Sequence, residues 1–470
     1  MLTKEKGTEA AAAAPGASPA GAPRGPRVLM LHGINLFNAG DHGIALAIIE
    51  RIREVLPGAG LRVASPFLDA QRTRREYHDA VRADSPVEYP PEVPDLYQLP
   101  VGGRATRRQL LGAAAALLTF VLVWLLPRAL SRRVAPGRRF IREVEEAELV
   151  ISKGGGFLLD RGTSSPIPIH LIPIGIAVRL RRPVVIYAQT VGPFDRRLSR
   201  WLAGVILRRT ALLLVRDQYS VDYAVDVLRV PAEKVHLTGD EAFRLASVLE
   251  RTPPAPEVAR APGTYRAGIT LVAPRYGGFP GEAPDAAYLR AVAATVDRLC
   301  APRDGAGAAG EVVMIPHLES GSASDRILAG RVREAARASD LVSILPAANP
   351  LATIRAMQRL DVMVCTRMHS VIFAIVAGVP FVAISYLPKT DSLLAQLGLD
   401  GWSVPLRDLL DDPDGAAERV ARMAQALVAE GPAARERVAR ARGRAFQASA
   451  RNGEAVAALA AARTAVRGGA

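Results

Sequence analysis

The sequence predicts an α/β protein built from two doubly wound, Rossmann-like domains that face a cleft. Short apolar runs alternate with amphipathic stretches through most of the chain, which implies parallel sheets covered by helices on both faces. Many of the runs end in glycine or a polar junction, where sheets of this kind bind ligands at the carboxyl ends of their strands. A Pro-rich stretch, "RTPPAPEVARAPG" at 251–263, interrupts the rhythm near the middle, and the alternation then restarts.

The first 26 residues are rich in Ala, Pro and Gly and lack the Leu-rich core of a secretory signal. They read as a disordered tail. "RVLMLHG" (27–33) is a strand ending in Gly, and "GIALAIIERIREVL" (43–56) has helical spacing with its charges on one face. "AELVISKGGG" (147–156) is a strand and a Gly loop, and "RPVVIYAQTVGPF" (182–194) a strand and a turn. "ALLLVRDQYSVDYAVDVL" (211–228) is a strand, polar junction and helix, and "KVHLTGDEAF" (234–243) a short strand and loop. These form a first domain, 27–250, with an insertion at about 101–139. The linker is 251–263. A second domain, 264–413, holds strands within 266–275, 311–318, 341–347, 361–370 and 380–386, with helices near 284–300 and after 318. The Ala/Arg-rich end, 414–470, reads as a helical segment packing back across the domains.

With 470 residues and 49% hydrophobic content the chain can bury large cores. Its two cysteines, Cys300 and Cys365, exclude a disulfide framework and point to a reducing compartment. The net charge of +14 looks like a nucleic-acid signal, but its distribution argues otherwise. Lys occurs only at positions 4, 6, 153, 234 and 389, and nine Arg without one acid fall between Leu96 and Arg142. No aromatic-studded basic stripe accompanies them, so no nucleic-acid partner is expected.

The Arg-rich window flanks "LLGAAAALLTFVLVWLL" (110–126), an uncharged run at the lower limit for a spanning helix. Three readings are open. The run is a buried or oligomer-interface helix, a helix dipping into one leaflet with its Arg on lipid phosphates, or a span. A single span would separate residues 27–100 from the rest of their sheet. The expected location is therefore cytoplasmic, peripheral or monotopic at the inner face of the plasma membrane, with an anionic membrane surface as a partner.

Four junctions carry candidate chemistry. "GINLFNAGDHG" (33–43) follows neither the dinucleotide nor the P-loop spacing, and a plain turn accounts for it as well as a ligand contact does. Asn38, Gly40 and Asp41 are its cleft candidates, with Asp41 able to cap the helix. In "SKGGGFLLD" (152–160), Gly154, Gly155 and Gly156 can converge N–H groups on an oxyanion or form a tight strand-to-helix turn. In "VRDQYS", Arg216 and Asp217 serve either as an ion pair and cap or as a binding site for a carboxylate or phosphate. In "TRMHS", Arg367 and His369 share a face if the segment is extended. Lys389 closes the next strand end, and His317 sits in "IPH". Cations at neighbouring rims suit an anionic ligand.

Taken in order, Asn35 to Asp41, "GGG", "QTVGPF", "RDQYS", "GDEAF", "IPH" with a later Asp, and "TRMHS…GVPFVAISYLPK" resemble the polysaccharide pyruvyl transferase family over roughly 28–400. The resemblance implies a fold similar to two-domain GT-B glycosyltransferases. It also implies transfer of pyruvate from phosphoenolpyruvate to a sugar as a cyclic ketal, on a sugar, polysaccharide or glycolipid acceptor. Arg216, His369 and Lys389 would serve the phosphoenolpyruvate site, with Arg367 beside them and His369 moving protons. Phosphoenolpyruvate is then a co-substrate, and neither a further cofactor nor a metal is expected. The chain departs from the family pattern at His42, where an acidic residue is usual, and in its Arg-flanked insertion. One alternative is a nucleotide-sugar glycosyltransferase on the same fold. Such enzymes hold a ribose with an acid, and the second-domain motif has none before Asp391. A non-catalytic sugar-binding scaffold, monomeric or oligomeric, is the other.

Overall fold

The computed structural model describes residues 25–83, 85–100, 105–160, 168–252, 264–301, 310–319 and 324–468. Most of the expected N-terminal tail and linker therefore lies outside the described residues. The first sheet has the order β3-β2-β1-β4-β6-β7-β8, with β5 added beside β6. Its strands are β1 (Arg27–Leu31), β2 (Gly60–Ser65), β3 (Glu92–Pro94), β4 (Leu149–Ser152), β5 (Gly155–Leu158), β6 (Val184–Val191), β7 (Leu212–Val215) and β8 (Val235–Leu237). The second sheet, β11-β10-β9-β12-β13-β14, runs from β9 (Arg266–Ile269) and β10 (Glu311–Met314) through β11 (Val342–Ile344), β12 (Val362–Cys365) and β13 (Phe381–Ser385) to β14 (Ser403–Pro405). All pairings between these strands are parallel. Covered on both faces, central strands read as unbroken apolar runs, and β4, β12 and β13 are buried at every position. The chain is thus an α/β protein of two doubly wound sheets in a GT-B-like arrangement.

One face of the first sheet shares a continuous apolar core with the second sheet, through the helix Ala39–Val55 on one side and Met368–Ala377 on the other. Backbone bonds stitch the halves together. The Ala39 N–H donates to the His317 carbonyl (2.8 Å) and the Glu319 N–H to that of Phe37 (2.8 Å). The last helix, Pro432–Gly468, crosses back to the first domain. There Asn452 Nδ2 donates to the Gly239 carbonyl (2.9 Å) and to Glu241 Oε2 (2.8 Å).

The other face of the first sheet has its own core, and the insertion contributes to it. Thr106 and Gln109 form a capping box that starts the helix Arg107–Leu125. Ala116, Thr119, Phe120 and Val123 bury one stripe of this helix. The Phe120 ring lies where any side chain at Gly175 would stand, and Trp124 Nε1 donates to the Gly175 carbonyl (3.2 Å). A single span is excluded, because β1 before the helix and β4 after it are hydrogen-bonded neighbours. Full internal burial is excluded too, because the opposite stripe is exposed.

Candidate functional site

The carboxyl ends of both sheets converge on one charged cleft. Asn38, not Asp41, caps the helix Ala39–Val55, its Oδ1 accepting from the N–H groups of Gly40 (3.1 Å) and Asp41 (3.2 Å). Asp41 is thereby free to face Lys153, with Oδ1 3.2 Å from Nζ, and it accepts from Asn35 Nδ2 (3.3 Å). Burial pushes the Asp41 carboxyl up, but Lys153 outweighs this and holds it below its ordinary value. The Lys153 side chain is only 1% exposed. The sequence reading passed over it, although its scarcity in an Arg-rich chain was a signal.

Gly40 has a spatial reason to be glycine, since any side chain there would run into the His369 ring. The segment is not extended, so the condition under which Arg367 and His369 would share a face fails. β12 ends at Cys365 and the chain turns into the helix Met368–Ala377 with Arg367 at its N-cap, so the two side chains diverge. His369 Nε2 comes 3.6 Å from Asp240 Oδ2, beyond hydrogen-bond length but within ion-pair reach. Arg367 turns to Asp325 in a two-pronged pair, Nε to Oδ2 at 3.0 Å and Nη2 to Oδ1 at 2.7 Å. Asp325 also accepts the backbone N–H groups of His317 and Leu318. The guanidinium lies 5.6 Å from the Tyr276 ring.

Arg216, at the end of β7, does not pair with Asp217. Its Nη1 donates to Asp240 Oδ2 (2.5 Å) and its Nε to Thr190 Oγ1 (3.0 Å). Asp217 instead caps the next helix through the Ser220 N–H (2.8 Å) and accepts from Thr190 Oγ1 (2.8 Å). Burial raises the Asp240 carboxyl, but Arg216 and then His369 overcome it and leave it well below its ordinary value. Lys389 lies in the first turn of the helix Pro388–Leu397 rather than on the strand end. Burial and then Arg216 push its ammonium down to about 8, against the pull of Asp240 and Asp217.

Arg216 and Lys389 line one cavity of about 120 Å³ with Thr190, Asp217, Asp240 and Met368. Gly156 abuts the same two cations. A side chain there would come 3.4 Å from Arg216 Nη2 and 3.7 Å from Lys389 Nζ. Gly154, Gly155 and Gly156 do not form an N–H nest, because Gly155 and Gly156 open β5, which pairs beside the end of β6. Gly154 packs under the Tyr187 carbonyl, and Gly155 lies near Asp41. The acids missing from the local second-domain sequence thus arrive from elsewhere, Asp240 onto Arg216 and His369, and Asp325 onto Arg367.

Two histidines are buried off the Arg216 cavity. His317 is buried with its ring against Phe373 (5.4 Å), and among the described residues neither ring nitrogen has a hydrogen-bond partner. Burial, with Arg367 and His369 adding, pushes it down to about 3. His42 points into the first domain, with Nε2 2.7 Å from the Tyr89 hydroxyl, and burial followed by Arg82 pushes it to about 3. Among the described residues no group of three or more His, Cys, Asp or Glu could hold a metal ion.

A sequence model of the family described as polysaccharide pyruvyl transferase matches residues 38–388. The amylovoran biosynthesis protein AmsJ of Erwinia amylovora is 22% identical over 289 residues, 58% of this chain; the match spans 65% of that protein's length. Among solved structures, Anabaena HepE in complex with UDP is 10% identical, with 93% of this chain and 100% of that chain covered at a TM-score of 0.48. A Rickettsia africae glycosyltransferase is 8% identical, with 93% and 99% covered at a TM-score of 0.49.

Proposed function

The chain belongs to the polysaccharide pyruvyl transferase family, and we propose that it moves the pyruvyl group of phosphoenolpyruvate onto two hydroxyls of a sugar as a cyclic ketal. The acceptor is a cell-surface polysaccharide or its lipid-linked precursor. The observation that carries this reading is the convergence of Arg216 and Lys389 on one cavity, with His369 on Asp240 at its edge. Phosphoenolpyruvate presents a carboxylate and a phosphate on a three-carbon frame. Arg216 suits the planar carboxylate and Lys389 the phosphate. Arg367, neutralised by Asp325, holds the cleft wall beside them.

Protonated His369 donates to the methylene carbon as a first sugar hydroxyl adds to the central carbon, and the hydroxyl proton returns to the imidazole. The second hydroxyl then takes the place of phosphate on that carbon. Its proton leaves with the phosphate, and the ketal closes. Asp240 Oδ2 lies 3.6 Å from the imidazole Nε2, while Gly40 leaves room for the ring.

Saturation binding of phosphoenolpyruvate, run beside a panel of nucleotide sugars, tests the donor. Binding of phosphoenolpyruvate alone is expected, with phosphate release once a competent acceptor is added. Binding of a nucleotide sugar without phosphoenolpyruvate would make the chain a glycosyltransferase, and binding of neither would favour a non-catalytic scaffold.

A further inference from the structure

The helix Arg107–Leu125 presents an exposed apolar stripe opposite its buried one. Leu110, Leu111, Leu117, Leu118, Val121 and Leu125 recur at helical spacing and are 37–76% exposed. The helix that carries it has 19 residues and is about 28 Å long. Leu130 and Val134 in the next short helix are exposed as well, as are Leu198 and Trp201 on the helix Arg197–Leu207, which packs on the same neighbour Leu171–Arg179. Monomeric proteins seldom expose an apolar stripe of this length without a partner.

We infer that this face docks in the plane of an anionic lipid leaflet, apolar stripe inward and Arg side chains on the headgroup phosphates. The charge around the stripe selects this occupant. Arg107 and Arg108 precede it, and Arg128, Arg132, Arg133, Arg138 and Arg139 follow it, all exposed. Among the described residues Arg107, Arg128, Arg133, Arg138 and Arg139 form no ion pair, and no acid lies between Leu96 and Arg142. A second copy of the chain would have to set this patch against itself, Arg facing Arg, as a two-fold interface requires. An anionic surface supplies the complement instead, each guanidinium strengthening attraction about fivefold near it at low salt. The helix lies along the membrane rather than across it, because its other stripe is fixed on Gly175. Arg108 also ties its N-terminal end to Asp69, 3.8 Å away, just beyond the carboxyl end of β2. The docking face therefore reaches the sheet edge on which the cleft opens. This inference does not depend on the identity of the donor.

The test is flotation of the full-length protein with vesicles of phosphatidylcholine alone and of phosphatidylcholine mixed with phosphatidylglycerol. Binding to the mixed vesicles is expected, at least about tenfold tighter than to the neutral ones and weakened by salt. A Leu111→Glu/Leu118→Glu variant should lose about tenfold or more, and an Arg107→Gln/Arg133→Gln/Arg139→Gln variant about a hundredfold at low salt. All these side chains are exposed, so melting temperature and phosphoenolpyruvate affinity should match wild type in both variants. Equal flotation of wild type and both variants would overturn the inference. So would a wild-type dimer that the Leu111→Glu/Leu118→Glu variant dissolves while vesicle binding is absent, since the face would then be a subunit interface.

Discussion

Two corners of the cleft hold an arginine on a buried aspartate, and they differ in what remains uncommitted. At the Arg367 corner both prongs of the guanidinium are taken by Asp325, whose remaining capacity goes to backbone N–H groups. At the Arg216 corner Asp240 takes one prong and is itself shared with His369, while Lys389 and the side-chain-free Gly156 adjoin. One corner is a closed ion pair that fixes a loop. The other shares its carboxylate between Arg216 and His369 beside a cavity. Residue type and motif spacing treat the two arginines alike, and only their carboxylate partners separate a closed pair from one that adjoins a cavity.

The sharpest way to break this contrast is at the proton. His369→Ala should lower turnover about 10²–10⁴-fold, the usual cost of removing a general acid–base group, while phosphoenolpyruvate affinity stays within about threefold. Phosphate release and equilibrium binding, measured on one preparation, give both numbers. Wild-type turnover in this variant would make the Arg216 corner a binding site without proton chemistry.

The next test pairs the two arginines. Each Arg→Ala change strands a buried aspartate, so Arg216→Ala and Arg367→Ala should both destabilise the fold by about 3–5 kcal/mol in denaturant titrations. Only Arg216→Ala should also weaken phosphoenolpyruvate, by roughly ten- to a hundredfold, measured where the variants remain folded. An Arg367→Met/Asp325→Leu double variant should regain most of the lost stability and keep donor affinity. Loss of affinity there, with the fold intact, would erase the distinction between the corners.

The sheets were legible because a parallel strand buried on both faces leaves a run such as "DVMVC" or "LVIS" with no polar alternation to misread. The junctions were legible as places, since each falls at a strand end. Their wiring was not. Asp240 lies 24 residues from Arg216 and Asp325 42 from Arg367, and no local pattern ties such pairs together. Asp41 had the right residue type for a cap, yet Asn38 held the capping geometry and released Asp41 to Lys153. Gly40 gave no motif because its constraint is a histidine from the other domain. On the apolar helix the 3.6-residue period is in the sequence, but which stripe faces outward depends on Gly175, far along the chain.

The smallest expected effect is the most specific to the open corner. Lys389 is depressed to about 8 by burial and by Arg216, partly offset by Asp240 and Asp217, with Arg367 adding to the depression. In the unfolded chain the ammonium keeps its ordinary pKa near 10.5, so between about 8 and 10.5 the unfolded state binds more protons at this group. Its contribution to stability therefore rises with pH across that window. Donor binding runs the other way, because an anion needs the ammonium charged. Affinity for phosphoenolpyruvate should be about twofold weaker at pH 8 than on the acid plateau of this group, and should then fall by up to about tenfold per pH unit. The neighbouring Asp240 is held too low to titrate there. Lys389→Ala should bind more weakly at pH 7 and lose this slope, so that the wild-type and variant curves converge as pH rises. Binding isotherms from pH 7 to 9 decide it, and parallel curves for the two proteins would show that the donor's charge is met elsewhere in the cleft.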